Sequence, residues 1–135
     1  MRNCYCCSGK LFENCCQPFI NGSAKPPTAE ALMRSRYSAY VIVAVDYILQ
    51  TTHYSTRKLH DPQAIKQWAK SSSWQKLEIK SKIKGEAKDF KGMVEFKAYY
   101  MDKSFQKHIH HEYSNFVKES GEWFFVDGKV VKNFK

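Results

Sequence analysis

All five cysteines of this 135-residue chain lie between positions 4 and 16, in the order Cys4, Cys6, Cys7, Cys15, Cys16, and none follows that could pair with them. A segment so short has almost no core of its own, so it folds only if something holds the two short clusters together. An eight-residue loop separates Cys6 from Cys15. In a reducing compartment a disulfide framework is disfavoured, whereas four thiolates gathered from two clusters satisfy a closed tetrahedral metal site. Free or redox-active cysteines are the competing reading, and spacing favours metal. Zinc suits a closed four-thiolate site better than iron where no other cofactor signal accompanies it. The loop Ser8–Gly9–Lys10 supplies a tight turn, and Lys10 partly offsets the anionic charge of such a site.

The chain opens with polar residues and cysteines rather than a basic start and a long apolar run, so no signal peptide is read and a cytoplasmic location is expected. Its longest apolar stretch, Ala39 to Val45, is too short to cross a bilayer, so no membrane span is expected. Lys and Arg outnumber acids 22 to 13. That excess favours anionic partners, nucleic acid among them, but no recognition motif accompanies it. Lys76, Lys80, Lys82 and Lys84 alternate along one candidate strand, where a solvated face or protected edge accounts for them.

Asn21 to Pro27, rich in Gly, Ser and Pro, reads as a linker. Thr28 then caps a helix with Glu30 in its first turn. Met33, Tyr37, Tyr40, Val41, Ala44, Tyr47, Ile48 and Thr51 recur at helical steps, which predicts one long helix with a single buried face, leaving Arg34 and Ser38 off the stripe. Asp61 followed by Pro62 starts a second helix carrying Ile65, Trp68 and Ala69 on one side. After Ser71 the period changes to two: Leu77, Ile79 and Ile83 alternate with lysines, and Val94, Phe96, Ala98 and Tyr100 alternate with Met93, Glu95, Lys97 and Tyr99. Further strands run from Ile109 to Val117 and from Trp123 to Val126, with turns at Gly85 and Gly121. Helices first and an antiparallel meander afterwards predict an α+β fold, a long helix packed on a curved antiparallel sheet. Most of the nine Phe, eight Tyr and three Trp lie in this body, where the core is expected.

The stretch CYCCSGKLFENCC resembles the SEC-C motif, the zinc knuckle known from the C-terminal tail of the SecA translocation ATPase. The resemblance implies Zn2+ held by Cys4, Cys6, Cys15 and Cys16. The motif usually has Gly where this chain has Cys7, so Cys7 is either a bystander, the favoured reading, or a competitor with Cys6 for the fourth ligand position. PTAEALMRSRYSAYV at Pro27–Val41, Asp46–Tyr47, Ser55–Arg57, HEYSNF at His111–Phe116 and WFFVDG at Trp123–Gly128 are similar to the YchJ family, and the match covers nearly the whole chain. It implies a knuckle at 1–20, a linker at 21–27 and a domain of the nuclear transport factor two-like, cystatin-like fold at 28–135, in a family whose biochemical role is not established. Some members carry a second knuckle at the C-terminus; no cysteine follows Cys16 here.

A sheet curled around a helix leaves a cone-shaped hollow, and polar residues inside it are where chemistry would lie. The matching motifs supply Arg34, Arg36, Tyr37, Tyr40, Asp46, His53, His111, Glu112 and Asp127 as candidates. Structural ion pairs and satisfied hydroxyls account for the same residue types, and for any single residue that is the favoured reading. Adjacent strand residues face opposite ways, so His111 and Glu112 enter one hollow only across a bulge. His108 and His110 share a face, but two ligands without a third make a poor metal site. The expectation is an adaptor or binding protein whose knuckle engages a protein or ribosomal partner, with an acid-base enzyme of small molecules as the alternative and nucleic-acid binding as a third. A homodimer through the exposed sheet face would suit the fold.

Overall fold

The computed structural model describes residues 2–131. The last four positions of the expected 28–135 domain lie outside the described residues. Within them a 3-10 turn, Phe12–Asn14, leads into helices α1 (Gln17–Ile20), α2 (Ala29–Val41), α3 (Val45–Gln50), α4 (Tyr54–Arg57) and α5 (Pro62–Ser71), followed by strands β1 (Ser73–Lys84), β2 (Lys91–Met101), β3 (Lys107–Glu119) and β4 (Glu122–Val130). The strands form one antiparallel meander in the order β1-β2-β3-β4. This is the α+β architecture that the change of period predicts.

Local chemistry sets the helix starts. Thr28 is extended and its Oγ1 accepts the Ala31 N–H at 3.0 Å, so it caps α2. Asp61 does the same for α5, accepting the Gln63 N–H, with Pro62 in the first helical position where no N–H is needed.

The single long helix expected over Met33 to Thr51 is two helices. Val41, Ile42 and Val43 form a β-branched run of weak helix propensity, and Val43 adopts φ 61°. The Ala44 N–H reaches back to the Ala39 carbonyl at 2.7 Å and closes the turn. The reversal lays α3 against α2, where the Tyr47 hydroxyl and Ser35 Oγ lie 2.7 Å apart in the core.

Helix α2 also departs from a single buried face. Leu32, Met33 and Tyr37 pack towards the body, while Ser38, fully buried, meets Cys4 Sγ at 3.6 Å. Arg34 reaches the Cys6 carbonyl at 2.7 Å. Cys4, Cys6 and Cys16 belong to the same continuous core as Leu32, Val94, Phe96 and Phe116. The connecting stretch is held as well: Pro26 is buried, and the Trp123 indole N–H donates to the Pro27 carbonyl at 3.1 Å.

The sheet buries Leu77, Val94, Phe96, Ala98, Phe116, Trp123 and Phe125 against the helices. Ile83, expected on that face, is exposed. The register slips between Ile79 and Ser81, so that Lys82 rather than Ile83 stands opposite buried Val94. One extra residue moves every later side chain to the other face. Lys82 consequently reaches Glu30 of α2 at 3.2 Å. Gly85, at φ 81°, sits where an added Cβ would lie 2.8 Å from the Ala29 Cβ, so the β1–β2 turn requires glycine. Outside β4, the Phe125 N–H donates to the Thr51 carbonyl and the Phe125 carbonyl accepts from the His53 N–H, which covers this edge at Phe125.

Candidate metal centre and cone cavity

The cysteine cluster is built from a tight turn and a helix start. The Cys4 N–H donates to the Lys10 carbonyl at 2.7 Å, Cys7 N–H to the Cys4 carbonyl at 3.3 Å, and Cys16 opens α1. The Sγ atoms of Cys4, Cys6, Cys15 and Cys16 all lie within 4.8 Å of one another. Cys6 and Cys15 are separated by 3.7 Å, Cys15 and Cys16 by 3.9 Å. A tetrahedral Zn–S bond of about 2.3 Å puts its sulfurs about 3.8 Å apart, so the donor set fits a closed four-thiolate site.

Around the sulfurs, Ser8 Oγ lies 3.2 Å from Cys15 and Ser38 Oγ 3.6 Å from Cys4. The positive charge of Arg34 reaches Cys6 from α2, a role the sequence suggested for Lys10. Hydrogen bonds from Cys16 and Cys6 hold the Cys4 thiol far below the usual range, the same bond to Cys4 pushes Cys16 up, and burial raises Cys15. A divalent cation would displace the thiol protons.

Cys7 stands apart from the four. It has φ 66°, a conformation glycine adopts freely, which accounts for the glycine usual at this place in the SEC-C motif. Its side chain is exposed, and Sγ accepts the Leu77 N–H at 3.5 Å.

On the other side of α2 a cavity of about 450 Å3 opens between α2, α5 and the concave face of the sheet. Aromatic rings form its wall: Trp68 lies 5.4 Å from Tyr40 and 5.4 Å from Trp74, and His110 5.2 Å from Trp68. Leu59, His60 and Asp61 stand at its mouth, ahead of α5. Burial and the Arg36 charge together lower the pKa of His60.

Two charged groups line the interior. Arg36 is buried; its Nη1 donates to the Ile48 carbonyl at 2.8 Å and to Thr51 Oγ1 at 2.7 Å, with Thr52 Oγ1 at 3.3 Å, and the Phe125 ring lies 4.5 Å from its guanidinium carbon. Glu112 is paired with His110 Nε2 at 2.7 Å and accepts the Ser114 hydroxyl. Burial pushes the Glu112 carboxyl up, but hydrogen bonds from His110 and Ser114, with the His110 and Arg36 charges, outweigh it and leave the pKa lowered. Gly128 stands directly beneath this carboxylate, and any Cβ there would collide with it. Burial raises the Tyr40 hydroxyl, with the Arg36 charge opposing.

Of the residues singled out from the sequence, Arg36, Tyr37, Tyr40 and Glu112 therefore line one cavity. The others lie elsewhere. Arg34 joins Glu30 at 2.9 Å and the knuckle. Asp46 is exposed in the first turn of α3. His53 caps α4 and meets Glu119 at 2.6 Å. His111 pairs with Glu95 at 2.7 Å, and Asp127 accepts from Asn115 at 2.7 Å, both on the convex face. His111 and Glu112 thus point opposite ways, as adjacent strand residues must. His110 and Ser114 complete the polar floor. Their spacing of two on either side of Glu112 was the available signal, since residues i and i+2 share a sheet face.

Fold and cysteine cluster together define a class: a cone-shaped α+β domain with an N-terminal four-cysteine knuckle packed on its principal helix. Residues 28–128 match the family model described as the YchJ, middle NTF2-like domain. A UPF0225 protein of Geobacter sulfurreducens is 42% identical over 129 residues, covering 96% of this chain and 80% of that protein. A UPF0225 protein of Haemophilus influenzae is 40% identical over 131 residues, covering 96% and 79%. The solution structure of a SEC-C motif containing protein from Rhodopseudomonas palustris superimposes with a TM-score of 0.88 at 36% identity, over 97% of this chain and 100% of that one. A crystal structure of such a protein from Psychrobacter arcticus gives a TM-score of 0.81 at 33% identity, over 100% and 86%. The chain belongs to the YchJ family. Among the described residues no helix is long and apolar enough to cross a membrane.

Proposed function

We propose that this protein binds a compact, partly aromatic small molecule in its cone and uses the knuckle to hold a structural zinc ion. One observation carries the reading: a cavity of about 450 Å3, inside the ~300–1,000 Å3 range of ligand sites, whose aromatic wall surrounds a few convergent polar groups. Zinc is supported by the sulfur spacing and by a donor set that leaves no open position, which suits bracing rather than catalysis. The burial of Cys4, Cys6 and Cys16 in the common core favours a brace over a free tail offered to a protein or ribosomal partner. Binding is tested with 2-naphthamide, followed through tryptophan emission, since Trp68 and Trp74 line the cavity. Wild type is expected to respond saturably and Ala64→Trp, which plugs the mouth, not to respond. Equal responses would refute the assignment of the site.

The Glu112–His110 pair favours a second reading, proton transfer on the bound molecule. Incubation with a cellular small-molecule extract tests it: a compound consumed by wild type and spared by Glu112→Gln supports it, and identical profiles refute it.

A further inference from the structure

Arg36 is 7% exposed, yet its protein acceptors are three neutral oxygens, all served by Nη1. Among the described residues neither Nε nor Nη2 has a hydrogen-bond partner, and no carboxylate forms an ion pair with the guanidinium. Among the described residues no sealed side-chain nitrogen is left unsatisfied, so these two N–H-bearing atoms keep solvent access, and Arg36 lines the cavity. Glu112 acts on this cation only through space, and a buried cation with no carboxylate in contact is costly and is ordinarily paired. The remaining Nε–Nη2 edge offers two parallel donors, the spacing that a carboxylate accepts with both oxygens. Phe125 lies over the guanidinium and fixes its plane.

The rest of the cavity decides what carries that carboxylate. Trp68, Trp74 and Phe96 supply flat apolar surface for a ring. Glu112 shares the space, held as an anion by His110 and Ser114, so a second negative charge on the guest would be repelled. We propose that Arg36 is the anion subsite for a small aromatic monocarboxylic acid, whose ring packs on the tryptophan wall. This rests on the cavity being a binding site and names the chemical class it takes.

The test is calorimetric titration of the full metal-loaded chain with three acids and their uncharged amides: benzoate, cinnamate and 2-naphthoate against benzamide, cinnamamide and 2-naphthamide. At least one acid is expected to bind about tenfold to hundredfold tighter than its amide, the range of a hydrogen bond to a charged partner. Arg36→Gln should erase the advantage of acid over amide; Arg36→Lys, which keeps the charge but not the fork, should retain part of it. The comparison within wild type stands even if neither variant folds. Amides binding as tightly as acids would overturn the carboxylate subsite and leave the cavity reading intact. Phenylphosphonate binding more tightly than benzoate would overturn the monocarboxylate class. No binding by any probe up to about 10 mM would overturn both.

Discussion

Arg34→Ala isolates the tie between knuckle and body. Arg34 donates from Nη1 to the Cys6 carbonyl at 2.7 Å and from Nε to Glu30 at 2.9 Å, with side-chain exposures of 23% and 27% for Arg34 and Glu30. A hydrogen bond from a charged donor contributes about 1.5–3 kcal/mol when buried; partial exposure puts this one near ~1.5 kcal/mol. The Glu30 pair, one helical turn away, adds about 0.3–0.5 kcal/mol. Glu30 keeps Lys82 at 3.2 Å, so truncation does not strand its charge. The loss is therefore ~2 kcal/mol. At ~4 °C per kcal/mol for a chain of this length, the melting temperature of the metal-loaded protein should fall by about 8 °C. Differential scanning calorimetry reads the shift, and a chelator assay should show faster metal release. Glu30→Gln, which weakens the Arg34 and Lys82 pairs together but spares the Cys6 contact, should cost about 1 kcal/mol or less. A melting temperature within about 2 °C of wild type, with unchanged release, would refute the claim that this carbonyl contact fastens the knuckle.

In metal analysis of purified protein, Cys7→Ser should retain the ion, whereas Cys15→Ser and Cys16→Ser should lose it, because only the latter remove sulfurs from the set of four. The carboxyl of Glu112 titrates below its ordinary 4.5, so its contribution to stability is full above that pH and is lost as pH falls through the lower folded value. Glu112→Gln should accordingly flatten the acid limb of melting temperature against pH below about 4.5. Val43→Gly should raise the melting temperature, since it frees a β-branched residue from φ 61° at a gain of about 1 kcal/mol. Gly128→Ala should cost about 1–3 kcal/mol by driving a methyl into the Glu112 carboxylate, and chemical shifts of His110 and Ser114 should move with it.

Features with a local physical cause were legible in the sequence. Thr28 and Asp61 cap the helices they precede, alternation over Val94, Phe96 and Ala98 marks a half-buried strand, and the paired cysteine clusters mark a four-sulfur site. What escaped depends on partners distant along the chain. Ser38 and Arg34 look like solvent-facing residues because the surface they cover is a polar, sulfur-rich knuckle rather than an apolar strand. The bulge before Ser81 turns Ile83 outward and aims Lys82 at Glu30, and no residue type there announces it. The cavity floor was half legible: Arg36 and Glu112 stood out as charges within an apolar body, but the pairing of Glu112 with His110 depends on which sheet face turns inward.

Helix α2 has no idle side. Arg34 and Ser38 meet the cysteine knuckle, while Arg36, Tyr37 and Tyr40 wall the cavity on the opposite flank. Two sites built on one rigid element exchange free energy whenever occupancy of either shifts that element. The exchange is reciprocal: whatever factor metal loading applies to guest affinity, a guest must apply to metal affinity. With both sites occupied, such a helix would link metal loading to cavity occupancy without any residue touching both ligands.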